Sequence, residues 1–179
     1  MSTARFDTVW INGSVGAGKT TTADHLGEEL HRRGVPGAVI DVDGLRRCWP
    51  APPEDPFCDE VARANVRVVA RNYRERGAQI VVVAGVLETP GGLAQNLHAA
   101  GAERALHVRL TVDRDVALSR LRSRHGHDDP ELEWHIRRHP VLAQVLDRAG
   151  FRDELLIDTT SHTVRDVTRR IADHVVAEA

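Results

Sequence analysis

One octapeptide restricts this chain to a narrow set of architectures. Gly13-Ser14-Val15-Gly16-Ala17-Gly18-Lys19-Thr20 fits the pattern G-x-x-x-x-G-K-[ST], which works only where a strand runs into a glycine loop and the loop opens a helix. Both flanks comply. Thr8-Val9-Trp10-Ile11 is a short β-prone apolar run, and Ala23, Leu26 and Leu30 recur at helical spacing until Gly34 closes the segment. Glycines let successive backbone N–H groups curl round an anion, and the helix N-terminus adds partial positive charge. Lys19 is the single lysine among 24 lysine and arginine residues. An ammonium is a compact point charge that reaches between phosphate oxygens, whereas a guanidinium is a wide planar fork. The loop, continued by Thr21, is therefore expected to hold ATP, with the Thr20 hydroxyl as a ligand to Mg²⁺.

With 179 residues and 41% hydrophobic content, the chain can build one domain around one sizeable core. The expectation is a single unit over residues 1–179, with a lid at about 120–150. A formal net charge of -2 gives no reason to expect nucleic-acid binding. The longest apolar run, Ile80-Val81-Val82-Val83-Ala84, is far short of a membrane span, and no charged leader with an apolar stretch opens the chain. These features predict a cytoplasmic protein without a membrane partner, and leave monomer and homodimer both open. Cys48 and Cys58 lack C-x-x-C spacing and read as reduced thiols.

Strand-like and helix-like segments alternate from end to end. That pattern predicts an α/β fold: a five-stranded parallel sheet with helices on both faces. Residues 38–42 read as a second strand, followed by a loop through Pro50, Pro52, Pro53 and Pro56. Asp59 opens a helix expected to bury Val61, Ala64, Val68, Val69 and Tyr73, with Gly77 as its stop. Residues 78–86 are the expected central, fully buried strand. Thr89 and Pro90 start a short helix, residues 105–111 form a fourth strand, and Asp113 caps a helix through Leu118 and Leu121. That helix enters the polar passage from Arg124 through His125, Gly126, His127, Asp128 and Asp129 to Pro130, read as a mobile cover. Pro130 begins another helix, which Pro140 is expected to kink or break. Leu155-Leu156-Ile157 supplies the fifth strand, and Val164, Val167, Ile171 and Val175 mark the last helix.

Phosphoryl transfer to a hydroxyl needs a triphosphate, Mg²⁺, a base near the acceptor and positive charge over the migrating group. Asp41 and Asp43 lie at the carboxyl end of the second strand, where ligands sit in open α/β sheets. Period-two geometry points both carboxylates to one side, with Asp43 as the preferred base and Asp41 sharing the metal shell and the acceptor. Both can alternatively cap the turn at Gly44. Arg46 and Arg47 are candidates to hold the acceptor or are solvated loop residues, and Trp49 is an apolar wall there or a core residue. Arg120 and Arg124 share one helix face and can close over the phosphates, with Arg122, Arg137 and Arg138 as further candidates, unless they form an ordinary solvated face. His135 and His139, with His125 and His127, raise a metal site, but Pro140 intrudes and no Cys or Glu completes the ligand set. The strand over 80–86 is followed by Leu87, and Glu88 is the first carboxylate. Either Glu88 or Asp41 then orients the metal, or metal binding rests on Thr20 and phosphate oxygens.

Taken together, Trp10-Ile11-Asn12-Gly13, Val42-Asp43-Gly44-Leu45, Arg120 with Arg124, and Ile157-Asp158-Thr159-Thr160 resemble small bacterial P-loop phosphotransferases of the nucleoside-monophosphate-kinase-like fold. The branches it is similar to are those of chloramphenicol phosphotransferase, tunicamycin-resistance ATP-binding protein and adenylylsulfate kinase. The resemblance implies an ATP-dependent small-molecule kinase with Asp43 as general base and arginines of the cover as charge stabilisers. It also implies a loop over 158–161, including Thr160, beside the adenine. The chain departs from chloramphenicol phosphotransferase in lacking aspartates after its central strand.

The first expectation is a small-molecule O-phosphotransferase, of the antibiotic-modifying or resistance kind. The second is a nucleoside or nucleotide kinase, for which Arg46, Arg47, Arg71 and Arg74 would converge on a phosphate. The third is a P-loop protein that binds ATP and sequesters its ligand without transferring phosphate.

Overall fold

The computed structural model describes residues 4–124, 129–152 and 154–176. Its strands are β1 (Thr8–Gly13), β2 (Gly37–Asp41), β3 (Ile80–Ala84), β4 (Ala105–Thr111) and β5 (Glu154–Asp158). They form one all-parallel sheet in the order β2-β3-β1-β4-β5. The expected fold class is borne out, but the middle strand is β1, with β3 beside it. Every residue of β3 is buried, as the unbroken apolar run requires when helices cover both faces.

Helices α1 (Lys19–Arg32) and α7 (Val164–Val175) cover one face, where Leu26, Leu30, Ile171 and Val175 pack on Val9, Ile11, Val82 and Val108. On the other face α3 (Asp59–Glu75) presents Ala62, Val66 and Ala70 to Trp10, Ile40, Val81 and Val83, and α4 (Pro90–Ala99) follows β3. This corrects the expected α3 stripe: Ala64 is exposed, and Val68 and Tyr73 are largely so. The fourfold spacing of two alanines around Val66 lets the helix approach the sheet closely, which larger residues would prevent. α7 is started by a capping box, in which Thr163 Oγ1 accepts from the Asp166 amide at 3.2 Å and donates to its carboxylate at 2.6 Å.

A short α2 (Val42–Leu45) begins where the second strand was expected to end, because the Asp41 side chain caps it through the Asp43 amide. Helices α5 (Arg114–Arg124) and α6 (Pro130–Arg148) pack together through Leu118, Leu121 and Leu132. Pro140 does not break α6. It removes one i→i−4 bond, a loss of about 3 kcal/mol in an unsupported helix, and buried Leu132, Leu142 and Leu146 hold both halves against the body. Among the described residues no helix is long and apolar enough to cross a membrane. Both cysteines are free thiols, Cys48 exposed and Cys58 buried.

Candidate active site

Strand register decides what meets at the carboxyl edge of the sheet. Ala84 pairs with Ile11 on one side and Asp41 on the other, so Asp41 shares a rung with the residue two places before Gly13. Gly13 has φ +150, and a Cβ there would stand 2.6 Å from the Leu110 carbonyl, so the chain can leave β1 this close to β4 only as glycine. The loop over 14–18 then leads into α1, whose first residues are Lys19 and Thr20. Thr20 Oγ1 donates to Asp41 Oδ2 at 2.8 Å. A cleft of about 960 Å³ opens above this edge, reaching from Val15, Gly16, Gly18, Lys19, Thr20 and Thr21 past Asp43 to α3, α4 and α6.

Lys19 is half-buried at one end of this cleft with Nζ 3.1 Å from the Ser14 carbonyl. Burial lowers its pKa to about 8, Asp43 and Asp41 pull it back up, and Arg124 and Arg46 push it down. The lysine, both aspartates and two of the expected arginines thus lie within one electrostatic neighbourhood. Asp43 is well exposed, with Arg46 Nε 3.4 Å from its Oδ1. Arg46 also donates to Asp59 at 2.9 Å and to the Phe57 carbonyl at 3.2 Å, which closes the Pro-rich loop back on α3. Arg47 lines the cleft as well.

Other expected site residues lie elsewhere. Trp49 is 85% exposed, neither core nor cleft wall, and the apolar wall is made instead by Phe57, Leu87 and Trp134. Arg120 is fastened to the loops beneath it: its guanidinium donates to Thr159 O at 2.7 Å, Thr159 Oγ1 at 3.0 Å and Gly16 O at 3.4 Å. Arg124, one turn on, is exposed and lines the cleft. Thr160 spends its hydroxyl on Asp158 Oδ1 at 2.6 Å and accepts from the Asp113 amide at 2.8 Å, while buried Thr159 faces the phosphate loop. Glu88 is ion-paired with Arg138 of α6. Arg74 binds Thr8 Oγ1 at 2.8 Å, at the opposite end of β1, and Arg71 faces Glu75 on its own helix. The four arginines of the nucleotide-kinase reading therefore do not converge.

Among the described residues no group of three or more His, Cys, Asp and Glu side chains is arranged to hold a metal, and His125 and His127 lie outside them. His139 is instead buried, with Nδ1 2.7 Å from the Val15 carbonyl.

Asn12 entered the sequence reading only as part of a resembling motif and was given no role, although it is wholly buried at the loop entrance. Its Oδ1 accepts from the amides of Gly13 at 2.8 Å and Leu87 at 3.1 Å, and its Nδ2 donates to the Leu87 carbonyl at 2.8 Å. The side chain thus replaces a backbone rung and fixes Leu87 and Glu88 against the phosphate loop. Nδ2 also lies 3.3 Å from His107 Nε2, which must then be an acceptor. That agrees with burial, aided by Arg109, lowering His107 to about 4 and keeping it neutral. An amide residue directly after the apolar run Val9-Trp10-Ile11 and before the Gly-rich loop was the available signal.

A parallel five-stranded sheet with a glycine loop, a lysine and a hydroxyl opening the first helix defines a P-loop kinase fold. Residues 9–133 match the AAA domain family, and the chain belongs to it. It is 28% identical over 179 residues to the adenylyl-sulfate kinase of Pseudomonas entomophila, covering 96% of this chain and 81% of that protein. The Deinococcus radiodurans tunicamycin resistance protein superposes with a TM-score of 0.63 at 23% identity, over 98% of this chain and 100% of that one. The Mycobacterium tuberculosis APS kinase in complex with AMPPNP and APS gives 0.60 at 17% identity, over 96% and 98%. The resemblance to P-loop small-molecule kinases drawn from the sequence is borne out.

Proposed function

We propose that this chain is an ATP-dependent phosphotransferase that moves the γ-phosphoryl group to a hydroxyl of a small molecule, of the antibiotic-modifying or resistance kind. One observation carries the reading: Lys19, Thr20 and Asp43 line one end of a cleft that continues into an apolar and arginine-lined chamber large enough for an acceptor, with Asp41 hydrogen-bonded to Thr20 behind it. The name of the Pseudomonas entomophila relative supports transfer to a small molecule.

The residues present fit Mg²⁺. A hydroxyl and a carboxylate are hard oxygen donors, and Thr20, having given its hydrogen to Asp41, keeps lone pairs for a cation. Bound Mg²⁺ would offset charge on the phosphate oxygens. In this reading Asp41 supplies the carboxylate that the end of β3 lacks, because Glu88 is engaged by Arg138. Lys19 reaches the β- and γ-phosphate oxygens. Asp43 accepts the proton of the acceptor hydroxyl, with Arg46 holding the carboxylate in place. Arg124, exposed at the end of α5 on the cleft lining, covers the migrating group, and the α5–α6 unit serves as the lid.

A ligand-sequestering protein is the second reading, favoured by the same engagement of Glu88 and by the likeness to a tunicamycin resistance protein. Mg²⁺-dependent ADP release, measured across hydroxylated antibiotics, nucleosides, nucleoside monophosphates, adenylylsulfate and sugars, separates the two. Release stimulated by one acceptor and lost in Asp43→Asn is expected. ATP binding with no stimulated release by any of them would replace the kinase reading with sequestration.

A further inference from the structure

We propose that His139 is a positioning residue for the phosphate loop, acting through the Val15 carbonyl. This rests on the nucleotide site of the reading above and not on the transfer step. His139 is 2% exposed on α6, and its Nδ1 lies 2.7 Å from Val15 O. A carbonyl oxygen only accepts, so Nδ1 carries the proton. The peptide unit is planar and trans, with its C=O and N–H pointing opposite ways. Holding the Val15 carbonyl outward against α6 therefore aims the Gly16 N–H at the concave side, where a phosphate oxygen would sit.

The next carbonyl is held in the same manner. Gly16 O accepts from Arg120 of α5 at 3.4 Å, and Ala17 O lies 3.3 Å from Thr159 Oγ1, after β5, whose one hydrogen is nearer the Thr111 carbonyl at 3.0 Å. Two consecutive carbonyls, Val15 O and Gly16 O, are thus anchored from outside by α6 and α5, and the third faces the segment after β5. The anchor at Val15 opposes a turn of its peptide. Gly16 sits at φ +82 without a Cβ, so the peptide before it can turn over with little steric cost. Turned inward, its oxygen would face the phosphate. Val15 is also gripped by its side chain, which packs on Leu118, Leu121 and Leu132. Arg138, the preceding residue of α6, pairs with Glu88. Adjacent residues of one helix therefore fix both the phosphate loop and the segment that follows β3.

The test is calorimetric titration of ADP into the full chain carrying His139→Leu, His139→Asn or Leu146→Ala, with Tm measured for each. Asn offers an N–H donor close to the place of Nδ1, and Leu removes it at similar volume. Leu146 is buried on α6 outside the cleft, so Leu146→Ala reports destabilisation alone. His139→Leu is expected to weaken ADP roughly tenfold, and His139→Asn to recover to within about threefold of the wild type. Leu146→Ala should lower Tm with ADP affinity kept. Should His139→Leu not fold, His139→Gln, which displaces the donor by one methylene, takes its place with the same expectation of weakened binding. Equal ADP affinity with and without the donor would overturn the proposal, as would affinity that simply tracks Tm through all variants, Leu146→Ala included. Failure of the wild type to bind ADP would instead overturn the nucleotide site itself.

Discussion

The hydroxyl of Thr20 and the carboxylate of Asp41 meet at 2.8 Å, and the second oxygen of that carboxylate receives the Asp43 amide at 2.9 Å. One side chain thus joins the first turn of α1, the end of β2 and the proposed base. Asp41→Ala should raise the Mg²⁺ concentration for half-maximal ADP release by about 10–100-fold, the usual effect of losing a group that orients a metal ligand. A Mg²⁺ titration in which Asp41→Ala overlays the wild type would remove Asp41 from the metal site.

Asp43→Asn keeps shape and removes basicity. The expected result is a fall in kcat of about 10²–10⁴-fold with ADP affinity nearly unchanged, because a general base acts only in the transfer step. Retained turnover in Asp43→Asn, or a larger loss in Asp41→Asn, would move the base assignment.

The phosphate loop was legible because strand, loop, lysine and hydroxyl are contiguous and local geometry alone dictates their arrangement. The position of Asp41 at the ligand edge was legible from the end of a parallel strand, but the period-two argument for Asp43 was not sound: the strand stops at Asp41, which caps α2, and Asp43 lies in that helix. The outer contacts of the loop were not legible. His139, Arg120 and Thr159 come from 104 to 142 residues away in sequence, and their targets are backbone carbonyls, which leave no trace in side-chain pattern. Trp49 was misread for a related reason: an aromatic beside prolines signals burial only if a neighbouring element covers it, and none does here. The α3 stripe was misread by weighting side-chain size over the spacing of Ala62, Val66 and Ala70.

Arg120 and Arg124, alike in the sequence, should separate in experiment. Arg120→Ala leaves the Thr159 and Gly16 carbonyls without their donors, at roughly 1–3 kcal/mol for each buried group left unsatisfied, so both Tm and ADP affinity should fall. Arg120→Lys should not restore them, since an ammonium cannot span the positions that the guanidinium fork reaches. Arg124→Ala should change stability by no more than about 0.5 kcal/mol, as for other exposed side chains, and lower kcat. Thermal melts and single-turnover rates decide both points, and equal effects on Tm would refute the division of roles.

Lys19 gives two pH dependences of opposite sign. Burial holds it at about 8 in the folded chain against 10.5 for a free side chain. Between those values the folded state binds fewer protons than the unfolded state, so stability rises with pH through that window. Below pH 8 the charged ammonium carries its full burial penalty, and above 10.5 the penalty is gone. At pH 7, without nucleotide, Lys19→Met should therefore melt higher than the wild type, and the gap should close as pH rises. Nucleotide binding runs the other way: the ammonium that burial penalises is the one that attracts phosphate, so ADP affinity should fall above about pH 8 in the wild type and stay weak at every pH in Lys19→Met. Melting curves and ADP titrations at pH 7 and above pH 8 measure the two together. A wild-type ADP affinity that is flat across this range would show that the Lys19 charge does not hold the phosphates.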